Sequence, residues 1–225
     1  MTVTLTIEPL ATASGTGNVS ALTFDDGPNG ADTEALLDLL AELDIRAVFA
    51  VIGSQIEAPG GAEVLRRIVS DGHVLCNHST SFDDLGQLSV DEAERRMSSA
   101  SATIRAALGD PDAPIPYFRA PNGSWGATPE AAVRLGMQPL AVVNTIGDWQ
   151  TQDEAVLTER LREAMRPGEL VLVHDGGGDR AASIAAVSTV VRERRAAGWT
   201  FTLPGRPSSD SFPGPARAVS TREDT

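Results

Sequence analysis

Apolar runs and amphipathic stretches alternate along most of this chain. Residues 19–24 form a continuous apolar-leaning run that reads as a strand. Residues 31–43 place Leu36, Leu40 and Leu43 on one helical face, with Asp32 as the candidate cap. The β-rich run 47–52 is broken by Gly53, and helix 62–70 turns Leu65, Ile68 and Val69 inward. A short strand is expected at 73–76, followed by a polar, irregular stretch, 77–87. Ser89 and Glu92 fit a capping box for a helix running to Leu108. A Pro-rich linker leads to strand 117–119, and Thr128-Pro129-Glu130 opens a helix that Gly136 closes. Strand 140–143, helix 154–165, strand 170–173, helix 182–197 and strand 200–203 complete the series.

Strand and helix thus alternate about seven times, which predicts a parallel α/β architecture. A closed or nearly closed β/α barrel fits better than an open sheet, because no dinucleotide fingerprint follows the first strand. Residues 1–17 read as an arm or edge strand, 18–204 as one domain, and 205–225, rich in Pro, Ser and charge, as a disordered tail. The run Gly176-Gly177-Gly178 lacks the spacing of a phosphate loop.

The polar residues of chemical interest fall just after strands. Asp25 and Asp26 end the first apolar run, before Gly27-Pro28 turns the chain. Adjacent carboxylates repel, and a bound cation is the usual compensation. Asn77-His78, Arg119, the segment 144–148 and His174-Asp175 follow later strands. In β/α barrels the face at the strands' C-terminal ends carries the active site.

Composition narrows the chemistry. The net charge is −13 and no long basic run is present, which argues against nucleic acid as a partner. All 18 basic residues are Arg, so Schiff-base chemistry and a Walker lysine are excluded. Cys76 is the only cysteine, which excludes an internal disulfide and a Cys-rich zinc site. It reads as a small core residue, and His73, at a strand start, as structural. No stretch approaches the length of a membrane span, and residues 1–18 lack signal-peptide character. The expected compartment is the cytoplasm, and the expected partner a small molecule or oligosaccharide, with oligomeric state left open.

Taken together, these segments resemble the NodB-homology polysaccharide deacetylases, carbohydrate esterase family 4. Thr23-Phe24-Asp25-Asp26-Gly27-Pro28 resembles the first motif, Asn77-His78-Ser79 the start of the second, Arg119-Ala120-Pro121-Asn122-Gly123 the third, Asp148-Trp149 the end of the fourth, and Leu172-Val173-His174 the fifth. The resemblance implies a distorted (β/α)7 barrel that hydrolyses an N- or O-acetyl group with one divalent metal, zinc first, with cobalt, nickel or iron as alternatives. It implies Asp25 as general base, Asp26 and His78 as metal ligands, Arg119 as the partner that holds Asp25 charged and oriented, and His174 as general acid tuned by Asp148. Asn122, Trp125 and Trp149 are the candidate substrate contacts, and backbone N–H groups near Asn122 are candidate oxyanion donors.

Three positions depart from the pattern. The second motif of the family places another His four residues after the first, where this chain has Phe82. Asp83, Asp84 or water are the candidates to fill that ligand position. Asn122 stands where the family usually has an aromatic, and Thr145 where the fourth motif often begins with Asp. The expected function is therefore a metal-dependent hydrolase acting on the amide of an N-acetylated sugar or small glycosylated metabolite. The alternatives are an impaired relative that binds a glycan or partner in the same cleft, or different, even oxidative, chemistry at an incomplete metal site.

Overall fold

A computed structural model describes residues 7–205. Residues 1–6 and 206–225, which include nearly all of the expected tail, lie outside the described residues. Seven parallel strands curl into a distorted barrel with helices packed outside. The elements run β1 (Val19–Asp25), α1 (Gly30–Glu42), β2 (Val48–Val51), α2 (Gly53–Glu57), α3 (Gly61–Ser70), β3 (Val74–Asn77), α4 (Val90–Leu108), β4 (Tyr117–Phe118), α5 (Thr128–Arg134), β5 (Gln138–Pro139), α6 (Glu154–Ala164), β6 (Glu169–His174), α7 (Ala181–Ala196) and β7 (Thr200–Phe201).

The strand order is β5-β4-β3-β2-β1-β6. β1 pairs with β6 along its length on one edge; on the other it meets β7 at Val19 and Ser20 and β2 at Thr23 to Asp25. β1 is therefore the central strand. The seam between β5 and β6 is bridged by residues 10–13: Ala141 donates to Leu10 O (2.9 Å), Leu170 to Ala11 O (3.2 Å) and Ala13 to Gly168 O (2.9 Å). A single bridge, Thr145 with Leu172, joins the two sides directly.

Strand alternation divides the side chains between two environments. Leu22, Phe24, Phe49, Val51, Phe118, Val171 and Val173 point outward, into the main core beneath the helices. Val48, Ala50, Cys76 and Tyr117 fill the barrel interior, with Ala21 and Leu170 in the cluster beside them. Each fully buried Leu, Val or Phe contributes about 1.5–3 kcal/mol. The inward row climbs β1 as Val19, Ala21, Thr23, Asp25, so the apolar interior gives way to carboxylate at the strand's end. Register aligns the neighbours, since Asp25 pairs with His174 on β6 and with Ala50 on β2. His78 and Arg119 lie two residues beyond the inward Cys76 and Tyr117, which also pair.

Several boundaries differ from the sequence expectation. The strand expected at 140–143 is instead Gln138–Pro139, because Gln138 donates to Pro116 O and Leu140 to Phe118 O (both 2.8 Å); beyond them the chain bends to meet Leu10. Gly53 does not simply end a strand. It opens the short helix α2, where a Cβ would press on Thr80 Cα at 3.2 Å. Asp32 is not a helix cap: it lies in the first turn of α1 and accepts from the Asn29 side chain (3.1 Å) and from Arg180 N (2.9 Å). The capping box of Ser89 and Glu92 forms as expected. No helix among the described residues is long and apolar enough to cross a membrane.

Candidate active site at the barrel mouth

The site is built on the last inward residue of β1. Asp25 is 3% exposed, and its Oδ1 accepts from Arg119 Nη1 at 2.5 Å. The same nitrogen donates to Thr23 Oγ1 at 2.9 Å, so the guanidinium spans two rungs of β1. Arg119 is fully buried. Removing one partner of such a pair typically costs about 3–5 kcal/mol, because it strands the other charge.

Asp26 would face outward if β1 continued. Instead it adopts φ +76, a left-handed conformation that is uncommon outside glycine but most tolerated by Asp and Asn. That turn brings both carboxylates to one side. His78 Nε2 lies 3.4 Å from Asp26 Oδ1 and 3.7 Å from Asp25 Oδ2. His78 Nδ1 lies 2.8 Å from the carbonyl oxygen of Arg119. A carbonyl only accepts, so Nδ1 carries the proton, and in the neutral ring Nε2 presents its lone pair to the two acids. Lone pair and carboxylates facing each other at this range need a proton or a cation between them. Asp26 and His78 thus offer two donors to a divalent metal, and among the described residues no group of three His, Cys, Asp or Glu side chains is arranged to hold one.

Across the mouth, His174 Nδ1 meets Asp148 Oδ1 at 2.7 Å, and His174 N donates to Asp148 Oδ2 at 2.9 Å. Asp148 is buried and also accepts from Ser183 Oγ (3.1 Å). His174 Nε2 lies 4.0 Å from Asp26 Oδ2. Burial disfavours the charged imidazole, but the hydrogen bond to Asp148 and the charges of Asp25, Asp148 and Asp26 outweigh it and hold His174 above its ordinary value of 6.5. Burial likewise pushes Asp148 and Asp26 up, and in both the histidines and Arg180 prevail and leave the carboxylates below the usual range.

The second motif is held from below. Asn77 donates to Met97 O (2.8 Å) and Ser101 Oγ (2.9 Å) of α4 and accepts from Ser79 N (2.8 Å). The candidates for the missing ligand position look elsewhere. Asp83 bonds Ser81 Oγ (2.7 Å) and faces Arg96 (3.9 Å), while Asp84 accepts from Asn122 Nδ2 (2.9 Å). Phe82 is 40% exposed, and its carbonyl also accepts from Asn122 Nδ2 (2.8 Å). Asn122 therefore ties the 82–84 loop to the third motif. Gly123 and Ser124 donate their N–H groups within their own turn, to Ala120 and Pro121, which removes these two as oxyanion donors.

Trp149 is 53% exposed and stands edge-on to His174, ring centroids 5.2 Å apart, at the mouth. Trp125 is partly buried and packs edge-on against Phe118 (6.4 Å). His73 accepts from Ala47 N (3.1 Å), and burial pushes it down to about 4, in keeping with a structural role. Burial raises the Cys76 thiol far above its ordinary value, which suits a core residue.

Arg180 escapes the sequence reading, and Asp175, which that reading grouped with His174, is placed apart from it. Asp175 is 1% exposed; its Oδ2 accepts from Thr33 Oγ1 at 2.6 Å, and it sits where a Cβ on Gly27 would fall, 2.3 Å away. Burial raises it to about 7, and the charges of Asp25 and Asp26 add to that despite the Thr33 bond. Arg180 is 4% exposed and lies under the glycine run. The order Gly-Gly-Gly-Asp-Arg could have signalled a close-packed loop. A Cβ on Gly176 would lie 2.0 Å from Asp26 O, and one on Gly177 3.0 Å from Asp26 Oδ2. These glycines serve close approach rather than phosphate binding.

The family model for polysaccharide deacetylases matches residues 12–140. The chain belongs to the polysaccharide deacetylase family. It is 35% identical over 167 residues to a chitooligosaccharide deacetylase of Sinorhizobium fredii, covering 72% of this chain and 75% of the relative. Among solved structures, a peptidoglycan N-acetylglucosamine deacetylase superposes with TM-score 0.74 at 25% identity, covering 84% of this chain and 89% of that one. A family 4 acetyl xylan esterase of Clostridium thermocellum, in complex with a cobalt ion, gives 0.72 at 26% identity, covering 82% and 87%. A family 4 pseudoenzyme of Bacillus anthracis shares the fold, with TM-score 0.77 at 21% identity over 88% of this chain and 67% of that one. The deacetylase family identifies the chain as a hydrolase, and the distorted barrel expected from the motifs is the fold observed.

Proposed function

We propose that this polysaccharide deacetylase removes the acetyl group from the amide of an N-acetylated sugar, presented as an oligosaccharide or small glycosylated metabolite. The observation that carries the reading is the meeting of two dyads, Asp25–Arg119 and Asp148–His174, across Asp26 and His78, with all contacts to the two central ligands within 4.0 Å. Asp26 and His78 would hold one divalent cation, zinc in the first instance, whose Lewis acidity would polarise the acetyl carbonyl and acidify the attacking water. Asp25, oriented by Arg119 and Thr23, takes the proton of that water. His174, protonated and fixed by Asp148 at Nδ1, delivers a proton from Nε2 to the departing amine nitrogen. Trp149 offers a flat apolar face beside His174 for a sugar ring.

The test is acetate release from N-acetylglucosamine oligomers by the metal-loaded protein. Release that is lost in Asp25→Asn supports the reading; no release, with Asp25→Asn matching the wild type, overturns it. The competing reading, a glycan-binding relative without catalysis, rests on Phe82 in the ligand position. Calorimetric titration with zinc separates them: stoichiometric binding that His78→Ala abolishes argues against the silent relative.

A further inference from the structure

Arg180 opens α7 with its side chain folded back beneath the site. Its Nε donates to Gly176 O (2.6 Å), Nη1 to Asp148 O (2.8 Å) and Nη2 to Gly177 O (3.1 Å). Its backbone N donates to Asp32 Oδ2 at 2.9 Å, and Gly178 O accepts from Asn29 Nδ2 at 2.8 Å, so the loop is also fastened to the start of α1. Among the described residues the Arg180 guanidinium makes no carboxylate ion pair, and all three of its acceptors are neutral carbonyls. A buried guanidinium without a carboxylate contact is costly unless its fork fits its acceptors and nearby charge compensates. The compensating carboxylates are Asp26 and Asp148, both of which feel its charge.

Each of the two segments that the fork joins is anchored on its own side. In the loop, Asp175 N and Gly176 N donate to Asp25 O (3.1 and 3.2 Å), and Asp148 is held by His174 N and Ser183 Oγ. The fork ties the two together. Residues 144–148 form no named strand; they meet β6 through the Thr145–Leu172 bridge, the Asn144 side chain on Leu170 O (2.9 Å) and the contacts of Asp148 to His174. The 176–177 loop lies directly on Asp26. Arg180 grips the backbone of Asp148 on one side and of Gly176 and Gly177 on the other.

We propose that Arg180 is a positioning residue for deacetylation: its three-way fork locks the Asp148–His174 dyad in register with Asp26, so that the proton donor and the metal ligand meet at one reaction centre. The inference rests on the deacetylase reading. Arg180 is 4% exposed and its guanidinium nitrogens are all engaged with backbone carbonyls, so its loss is expected to misplace the donor rather than remove a binding contact. A misplacement of about 1 Å costs roughly 100-fold in rate.

The experiment compares kcat and KM for acetate release by the wild type, Arg180→Ala and Arg180→Lys, alongside melting temperatures. Expected is a fall in kcat of roughly 100-fold in Arg180→Ala with KM within about threefold, and partial recovery when guanidinium ion is added to refill the cavity. Arg180→Lys keeps the charge and stem but cannot fork to three carbonyls; it folds and still loses most of kcat. If Arg180→Ala fails to fold, the Lys variant alone decides. A wild-type kcat in Arg180→Lys, or a kcat loss in a folded Arg180→Ala that guanidinium does not recover, overturns the proposal. The proton resonance of His174 Nδ1–H, shifted downfield by its bond to Asp148, supplies a readout without turnover. It is lost or displaced in Arg180→Lys if the fork aligns the dyad, and an unchanged resonance overturns the proposal. An inactive wild type would instead count against the deacetylase reading, while this resonance still tests Arg180.

Discussion

The carbonyl oxygen of Arg119 lies 2.8 Å from Nδ1 of His78, while the guanidinium of the same residue holds Asp25. One residue thus orients two groups by two different means. Its backbone fixes the His78 tautomer, leaving Nε2 free for a cation, and its side chain positions the base. The two roles separate under substitution, because the carbonyl survives a change of side chain.

Arg119→Lys is therefore expected to leave zinc affinity within about threefold of the wild type while kcat falls by roughly 100-fold. Lys is shorter and presents a rotating point charge, so it does not hold Asp25 in the geometry that the rigid planar guanidinium imposes through Nη1. Calorimetry and steady-state kinetics on the same preparation check the split. Parallel losses in metal affinity and kcat would refute the separation.

Phe82→His is expected to raise zinc affinity by about 10–100-fold, the range over which groups supporting a metal site typically act. Asp83→Ala and Asp84→Ala are expected to leave affinity unchanged, because these carboxylates are engaged with Ser81 and Asn122. Competition titration against a chelator of known affinity measures all three variants. A large loss in either Asp variant would show that the loop supplies a ligand.

His174 must be protonated to donate, and its environment holds it above 6.5, with Asp148 the main upward influence against burial. The sign follows. The donor is fully present below 6.5 and is lost as pH rises through the raised value, and the dyad's contribution to stability follows the same course. Asp148→Asn removes the carboxylate, so the alkaline limb of the kcat profile is expected to move to lower pH and the maximal rate to fall by roughly 10²–10⁴-fold. A limb that stays in place would separate it from His174.

The sequence showed most of the fold because strand alternation and helix periodicity are local properties. Asp25, Asp26, His78, Arg119 and His174 were legible for a related reason: each sits within a residue or so of a strand end, and parallel register brings those ends to one face, whereas Asp148 lies well beyond β5 and was legible through the motif it shares with Trp149. What stayed hidden depends on contacts between segments far apart in sequence. Arg180 is an ordinary helix-start residue until the 144–148 segment and the glycine loop are placed around it. Pro139 ends β5 earlier than apolar content suggests because the chain must turn toward Leu10. Asp175 looks like a partner of His174, yet strand direction sends it to the other side, onto Thr33 and Gly27.

Asp175 gives a test of that placement through stability alone. Its carboxyl moves from 3.8 to about 7 on folding, chiefly through burial. The folded state thus binds a proton more tightly than the unfolded one. The associated stability is fully present below about 3.8 and drains away as pH rises to about 7. A shift of this size corresponds to on the order of 4 kcal/mol between acidic and alkaline conditions. Asp175→Asn keeps an acceptor for Thr33 but cannot ionise, so it should match the wild type in acid and exceed it in alkali. Melting temperatures of both proteins from pH 4 to pH 9 would show the curves diverging as pH rises through the neutral range. Parallel curves would mean that Asp175 is charged in the folded protein throughout, and that a positive group compensates it beneath the site.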